Sequence, residues 1–255
     1  METVIRALKV LKSLANKPLS VQEVADVMEV HKSTASRLLS SLKKEKFVHL
    51  NSNGKYQLGY AIFELSHAWS SNQDVISISA PYLKMLNKET NETIHLAILD
   101  EWQIVYINKI DSSKAIKMNS TIGKRAPAYC TGIGKAILAF NSKDQKKTTI
   151  KKTEFIRYTD NTITDENKLN SNLDKVVEDG IAWDLGEHEE EIICIAAPIF
   201  DRSNEVIAGI SISATKVYTS EEVMRSYKGL LLSTCKDISK LLGYTGHWPP
   251  KIIDK

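Results

Sequence analysis

The sequence predicts an α+β protein in which a small, mainly helical domain precedes a larger domain with a mostly antiparallel sheet. In the first 45 residues, apolar side chains recur at helical spacing. A short hairpin pattern then surrounds Asn53-Gly54, and Asn-Gly is a strong hairpin turn signal. From residue 93 onward, segments that alternate with period two are separated by helical stretches, which is the pattern of an α+β domain.

Length and composition exclude several classes of protein. The 255 residues suffice for one large or two modest domains, and 42% hydrophobic with 25% charged residues excludes a mostly disordered or collagen-like chain. No apolar run approaches the roughly 18 residues of a membrane-spanning helix, and the first residues do not resemble a secretion signal. Three cysteines without a Cys-x-x-Cys pattern argue against a disulfide framework or structural zinc. We therefore expect a cytoplasmic protein without metal, cofactor or membrane partner.

The formal net charge of +3 conceals an uneven distribution. Residues 1–60 carry ten basic and five acidic side chains, whereas residues 61–255 carry 24 and 26. The whole excess lies in residues 30–60, where six basic side chains face one acidic side chain. Such a local basic patch indicates a polyanionic partner. For the lysines alone, a solvated helix face is the alternative.

Three helices are expected in the first 45 residues. The first spans residues 3–16 and ends before a proline, because the residue before proline disfavours the α region. Ser20 and Glu23 form the capping-box pattern that opens a second, short helix. A third helix starts at a cap supplied by His31 or Ser33.

The second and third helices form a predicted helix-turn-helix, and the hairpin after it forms a predicted wing. The exposed side chains of the third helix are short hydroxyls and long cations, which suit a helix that reads the major groove. The predicted DNA contacts are Lys32, Ser33, Thr34, Ser36 and Arg37, with Lys55 on the wing. A helix pair that serves only for packing is the alternative. The coincidence of helix-turn-helix, basic hairpin and charge excess favours binding to double-stranded DNA.

A linker helix and a second domain should follow. Residues 59–88 keep helical spacing, with an interruption at residues 70–74. We therefore expect a DNA-binding domain over residues 1–60, a linker helix over 61–74 and a second domain over 75–248. Within that domain, the predicted strands are residues 93–99, 103–109, 116–122, 181–185, 192–200 and 206–214. The predicted helices are residues 132–140, 165–178 and 220–242.

Three segments of the second domain could carry chemistry. Ser211 and Ser213 share one face of a strand whose other face is apolar, so they form either a pocket wall or a solvent-facing side. Gly132-Ile133-Gly134-Lys135 opens a helix, and the free amides there are receptive to an anion. Ala136 replaces the Ser or Thr of a phosphate loop. A small carboxylate therefore fits as well as a nucleotide, and a closely packed turn is the alternative.

The third segment holds Asp184, His188 and Cys194 within eleven residues, together with four glutamates. A Cys–His–Asp nucleophile set or a metal site is conceivable there. No nucleophile-elbow pattern surrounds Cys194, and a cysteine that opens an apolar strand is more often a buried small hydrophobe. An enzyme that uses Cys194 and His188 beside an accessory helix-turn-helix is therefore the alternative function.

Seven segments together resemble the IclR-type bacterial transcription regulators over almost the whole chain. They are LSVQEVA (19–25), KSTASRLL (32–39), KYQLG (55–59), TGIGKA (131–136), GEHE (186–189), CIAAPI (194–199) and GISISA (209–214). Singly they are weak signals, and in this order and spacing they are specific. One departure is Glu29, which stands where the family usually has the turn glycine of the helix-turn-helix.

The resemblance implies a winged helix-turn-helix, a linker helix and a GAF- or profilin-like effector domain. Family members are dimers, often paired into tetramers, that repress or activate genes of catabolism. The resemblance also implies an effector pocket formed by Met118, Gly132, Ile133, Asp184, Cys194, Ser211 and Ser213. Regulators of sugar-acid catabolism, of the 2-keto-3-deoxygluconate type, are slightly more similar than others. We therefore expect a repressor of a catabolic operon, a homodimer or dimer of dimers, controlled by a small carboxylate or sugar acid.

Overall fold

The structure is a computed structural model that describes residues 2–71 and 74–248, apart from the side chains of residues 69–71. The chain divides between Gln73 and Asp74 into two compact units. Residues 72 and 73, which belong to the predicted interruption after the linker helix, lie outside the described residues. Within the described ranges, no helix combines the length and the apolar content that crossing a membrane requires.

The first unit is a helix-turn-helix followed by a two-stranded hairpin and a further helix. Its elements are α1 (Glu2–Leu14), α2 (Val21–Met28), α3 (Lys32–Lys44), β1 (Val48–Leu50), β2 (Tyr56–Leu58) and α4 (Tyr60–Ser71). Strands β1 and β2 pair antiparallel across the Asn53-Gly54 turn. The core of the unit is built from apolar side chains of α1, α2, α3 and β1, among them Val10, Val24 and Leu39. The predicted winged helix-turn-helix is therefore confirmed.

Local hydrogen bonds explain where these helices begin and end. The hydroxyl of Ser20 accepts from the Glu23 amide at 3.2 Å, and the Glu23 carboxylate accepts from the Ser20 amide at 2.7 Å, which completes the capping box. Helix α2 ends at Glu29, whose φ of 54° is left-handed. Of the two predicted caps for α3, His31 is the one observed, because its Nδ1 accepts from the Ser33 amide at 3.3 Å. Helix α1 ends at Leu14, two residues earlier than predicted.

The second unit is a six-stranded antiparallel sheet in the order β5-β4-β3-β8-β7-β6, with helices on both faces. Its strands are β3 (Thr93–Asp100), β4 (Gln103–Ile110), β5 (Arg125–Pro127), β6 (Ala182–Leu185), β7 (Ile192–Phe200) and β8 (Val206–Thr215). Its helices are α5 (Asp74–Thr90), α6 (Gly132–Phe140), α7 (Lys143–Lys152), α8 (Glu166–Asp179), α9 (Glu221–Ser226) and α10 (Lys228–Leu241). Helices α5 and α10 contribute to one core cluster, and α6 and α8 contribute to the other.

The predicted strand at residues 116–122 is wrong. The structure has no strand there, and β5 forms the sheet edge three residues later. Residues 111–124 form an irregular strap, and the Lys109 ammonium fixes it by donating to the carbonyl oxygens of Met118 at 3.1 Å and Ser120 at 2.6 Å. Backbone hydrogen bonds join the end of the strap to β4, where Tyr106 pairs with Gly123 and Lys124, but they do not extend into a strand ladder over residues 116–122.

Two helical assignments also differ from expectation. Helix α7 was not predicted, since its ten residues are mostly polar and only Thr149 and Ile150 are buried. The closing helix is interrupted at Tyr227, so residues 220–242 form the two helices α9 and α10.

Candidate functional site

Helix α3 presents its predicted DNA-contacting side chains to solvent. Lys32, Ser33, Ser36 and Arg37 are exposed and Thr34 is half-buried, while Ala35 and Leu39 are buried on the opposite side. Within the described part of the chain, neither Lys32 nor Arg37 takes part in an ion pair. Both charges are therefore available to a polyanion on this face.

The wing lysine differs from the cations of α3. The ammonium of Lys55 lies 3.3 and 3.4 Å from the two carboxylate oxygens of Glu23, the residue that completes the capping box of α2. Hydrogen bonds from the backbone and hydroxyl of Ser20, together with Lys55, lower the pKa of Glu23 to about 2. The charge of Lys55 is thus already compensated, and a phosphate would have to displace Glu23.

The second candidate site is a cavity in the second unit, between the start of α6 and the strands of the sheet. The space there, counted together with the solvent at its open mouth, measures about 480 Å³. All seven predicted effector residues line it: Met118, Gly132, Ile133, Asp184, Cys194, Ser211 and Ser213. Sequence reasoning did not place a further eight lining residues there: His95, Tyr106, Asn119, Ser120, Thr131, His188, Glu189 and Ile192.

A histidine organises the serine face of β8. Ser211 and Ser213 are 3% and 2% exposed, so of the two alternatives the pocket wall is correct. Nδ1 of His95 lies 3.4 Å from the Ser211 hydroxyl and 3.3 Å from that of Ser213, and Nε2 lies 2.8 Å from the hydroxyl of Ser120 in the strap. His95 faces Ser211 in the β3–β8 register, so knowledge of that register would have revealed it.

Burial keeps the polar groups of this wall uncharged. Desolvation, with a smaller contribution from the Lys109 charge, lowers the pKa of His95 to about 3, so its imidazole is neutral at pH 7. The ring of Tyr106 lies 4.8 Å from that of His95, and burial raises the pKa of its phenol. The cavity thus offers hydroxyl groups and a neutral imidazole, which bind oxygen atoms by hydrogen bonds.

The two glycines at the start of α6 have different roles. A Cβ on Gly134 would lie 2.3 Å from the carbonyl oxygen of Ala128, so this glycine allows close packing. A Cβ on Gly132 would meet only ordinary contacts, the nearest at 3.5 Å, and Gly132 borders the cavity. The hydroxyl of Thr131 donates to the Pro127 carbonyl at 2.8 Å and does not cap the helix. The first amides of α6 are therefore free of a side-chain cap.

The lysine of this segment does not serve the cavity. Lys135 is fully buried, and its ammonium is bonded to the carboxylate of Glu187. A phosphate-loop lysine must reach its ligand, so this arrangement gives a nucleotide no support.

Asp184 and Cys194 face each other across β6 and β7. One oxygen of Asp184, Oδ1, accepts from the amides of Gly186 at 3.1 Å and Glu187 at 2.7 Å. Burial, and secondly the charge of Glu187, raises the pKa of Asp184 to about 7. Burial also raises the pKa of the Cys194 thiol well above its ordinary value. A protonated thiol is a poor nucleophile, so the alternative enzymatic function has no support here.

His188 and the acidic loop add no catalytic set. The ring of His188 packs against that of Tyr158 at 4.8 Å, and burial lowers its pKa. Among the described residues, no three His, Cys, Asp or Glu side chains converge where a metal ion could be held.

Comparison with known proteins places both units in one family. Residues 3–52 match the IclR helix-turn-helix domain, and residues 67–240 match the C-terminal domain of the bacterial transcriptional regulator IclR. The HTH-type transcriptional regulator KdgR of Escherichia coli is 37% identical over 246 residues, which covers 96% of this chain and 94% of that protein.

Solved structures agree in fold. The crystal structure of IclR from Thermotoga maritima superposes with a TM-score of 0.82 at 32% identity and covers 95% of this chain and 99% of its own. An IclR homolog from Microbacterium hydrocarbonoxydans, complexed with 4-hydroxybenzoate, gives a TM-score of 0.80 at 19% identity, over 94% of this chain and 99% of its own.

Proposed function

This chain belongs to the IclR family of bacterial transcription regulators, and from that premise we propose that it represses a catabolic operon under the control of a small carboxylate or sugar acid. It is a DNA-binding regulator with a C-terminal effector domain. The convergence of Met118, Gly132, Ile133, Asp184, Cys194, Ser211 and Ser213 on one cavity carries the proposal for the effector.

The effector binds with its carboxylate on the first amides of α6 and its other oxygens on Ser211, Ser213 and Cys194. The amides at Gly132 and Ile133 suit an anion because the positive end of the helix dipole points at the cavity. The complex of the M. hydrocarbonoxydans homolog with an aromatic carboxylate supports a carboxylate ligand. The similarity to KdgR supports the sugar-acid class.

Calorimetry with pyruvate, D-gluconate and 2-keto-3-deoxygluconate tests the effector site. The double change Ser211→Ala and Ser213→Ala removes two hydroxyl donors from the cavity wall. We expect a loss of effector affinity of about 5–150-fold, since two hydrogen bonds at about 0.5–1.5 kcal/mol each contribute about 1–3 kcal/mol. Ser233→Ala, on an exposed turn of α10, is the matched control. Unchanged affinity in the double variant would remove the cavity from the proposal.

On the DNA side, Lys32, Ser33, Thr34, Ser36 and Arg37 contact the operator, with Lys55 in support. Genomic fragments selected by binding to the wild-type protein provide the DNA for gel-shift titrations. Arg37→Ala should weaken operator binding by about 1–3 kcal/mol if Arg37 reads a base. The test variant combines Lys32→Ala with Arg37→Ala. Its control combines Lys43→Ala with Lys44→Ala, which removes two exposed charges from the other end of α3. Equal losses would contradict a specific role for the first pair.

Control by the effector requires that it bind the free and the DNA-bound states of the protein with different affinity. Addition of the effector should release the operator in the same gel shift, and tighter operator binding in its presence would contradict release by the effector.

A homodimer or a dimer of dimers is the proposed assembly. Exposed apolar side chains on α1 and α4 support it, among them Val4, Ile5 and Leu8 on α1 and Phe63 on α4. Sedimentation equilibrium should show a dimer or tetramer, and Ile5→Asp with Leu8→Asp should shift it toward the monomer. A monomeric wild-type protein would refute this part of the proposal.

A further inference from the structure

The cavity proposed to bind a carboxylate contains carboxylates of its own. Among the described side chains that line it are Asp184 and Glu189, and none of the described lining residues is a lysine or arginine. Inside a protein, like charges repel far more strongly than in water. An anionic effector therefore needs compensation that the charged side chains of the wall do not supply.

The ammonium groups around the cavity have other partners. Lys216, beside Gly186, donates to the Glu190 carbonyl, and Lys124 donates to the Asn119 carbonyl. Lys109 donates to two carbonyl oxygens of the strap and pairs with Asp111 at 2.8 Å. Lys135 is bonded to Glu187 behind the start of α6. What remains for the effector is the set of free amides at the start of α6 and any proton that the cavity takes up.

Asp184 is placed to hold such a proton. Its Oδ1 already accepts two backbone amides, whereas no hydrogen bond to Oδ2 is found among the described residues. The backbone nitrogen of Asp184 lies 3.6 Å from the position of a Cβ on Gly132, so β6 touches the helix start. A carboxylate on the first amides of α6 would therefore lie beside Asp184, and two adjacent carboxyl groups tend to share one proton.

We propose that Asp184 binds the effector as the carboxylic acid, with its Oδ2–H donating to the effector carboxylate, so that binding at neutral and alkaline pH takes a proton from solution. This inference rests on the proposed function. The proton comes from water or buffer and remains on Asp184, and no covalent bond changes. Asp184 thereby selects ligands that carry an acceptor at this position.

The electrostatics of the unliganded cavity agree with this role. Burial, and secondly Glu187, raises the pKa of Asp184 to about 7, so about half of the molecules carry the acid form at neutral pH. The titratable or charged groups around it are Glu187, His188 and Glu189 on its own loop, Cys130 and Lys135 at α6, Cys194 on β7, Tyr106 on β4 and His95 on β3, together with Lys216 beside Gly186 and Lys124 near His188. An effector carboxylate adds another negative charge and raises this pKa further.

Calorimetry of wild-type protein in buffers of different ionisation enthalpy measures the proton directly. The probes are pyruvate, D-gluconate and 2-keto-3-deoxygluconate, at pH 6.0 and pH 8.5. We expect uptake of nearly one proton per effector at pH 8.5 and almost none at pH 6.0, where Asp184 is already protonated. Affinity should be about thirtyfold weaker at pH 8.5, because only about 3% of the protein then carries the acid.

Asp184→Asn is the decisive variant. Its amide keeps an oxygen for the amides of Gly186 and Glu187 and puts an N–H donor where Oδ2 lies. We expect this variant to bind without proton uptake, with equal affinity at both pH values, and more tightly than wild type at pH 8.5. A residue that only supports the loop would not give a pH-independent variant that is tighter than wild type.

Glu189→Gln and His188→Gln are controls at the two titratable groups of the loop that line the cavity beside Asp184, and both variants should keep the proton uptake. If His188→Gln abolishes it while Asp184→Asn does not, the proton goes to the imidazole and the inference is overturned. Effector binding without proton uptake at pH 8.5 overturns this inference and leaves the proposed function intact. If no probe binds the wild-type protein, the proposed effector class fails, and the inference fails with it.

Discussion

The ammonium of Lys135 is bonded to the carboxylate of Glu187, and this buried ion pair joins helix α6 to the loop that follows β6. Lys135 is fully buried, and the second carboxylate oxygen of Glu187 has no partner within the described residues. Because His188 and Glu189 of the same loop line the cavity, the pair fixes one wall of the effector site.

Lys135→Met should lower the free energy of unfolding by about 3–5 kcal/mol, because it leaves a buried carboxylate without its counter-charge. Adding Glu187→Met should recover much of that loss, since apolar side chains can replace a buried ion pair at little cost. Urea denaturation followed by circular dichroism gives both values. Lys152→Met, which breaks the exposed pair with Glu101, is the control and should change stability by less than about 1 kcal/mol. A double variant as unstable as Lys135→Met would refute the argument.

The sequence allowed prediction of most of the elements, because periodicity and caps are local properties. It placed Ser211 and Ser213 on one face of a strand, and the family resemblance implied that this face belongs to a pocket. The alternation around Ser211 and the glycines of α6 were visible in the chain. Which strand faces β8 is a long-range property, so the sequence did not reveal that His95 pairs with Ser211. The irregular conformation of the strap could not be predicted for another reason. The lysine contacts that hold it, such as those of Lys109, produce no periodic pattern in the sequence.

Protonation of His95 should make the protein less stable in acid. Its pKa is about 3 in the folded state against an ordinary value of 6.5. Between these values the unfolded chain binds more protons, so this group lowers stability as the pH falls below 6.5. His95→Phe removes this pH-dependent contribution. It also leaves two serine hydroxyls without their hydrogen-bond partner, which lowers the free energy of unfolding by about 1–3 kcal/mol at pH 7. The difference in free energy of unfolding between wild type and His95→Phe should then narrow by about 2 kcal/mol between pH 7 and pH 5.

Urea denaturation at several pH values measures this gap. Ser120→Ala removes the partner of Nε2 and keeps the imidazole, so its pH dependence should follow that of wild type. If the difference in free energy of unfolding between wild type and His95→Phe stays constant from pH 7 to pH 5, the folded protein protonates His95 without cost.

Glu29 occupies a backbone conformation that favours glycine. Its φ is 54°, and its amide donates to the carbonyl oxygens of Ala25 and Asp26 at the end of α2. Left-handed backbone costs a residue with a Cβ about 1 kcal/mol. Glu29→Gly should therefore stabilise the helix-turn-helix by up to about 1 kcal/mol, measured from hydrogen exchange of amides in α2 and α3. Glu45→Gly, at the end of α3 where φ is −86°, should destabilise it. The same sign for both changes would contradict the backbone argument.

Glu23 limits the contribution of the wing to DNA binding. Glu23→Gln keeps the capping box, since glutamine also accepts from the Ser20 amide, but it frees the charge of Lys55. Exposed ion pairs contribute little, so we expect operator affinity to rise by roughly 2–5-fold. The salt dependence should also steepen by about 0.9 if Lys55 then neutralises one phosphate.

Gel-shift titrations of Lys55→Ala complete a double-mutant cycle. The change should matter little in the wild-type background and clearly more beside Glu23→Gln, because only there is the ammonium free of its carboxylate partner. Equal effects in the two backgrounds would show that phosphate displaces Glu23 without cost. In that case Lys55 would contact DNA on the same terms as Lys32 and Arg37.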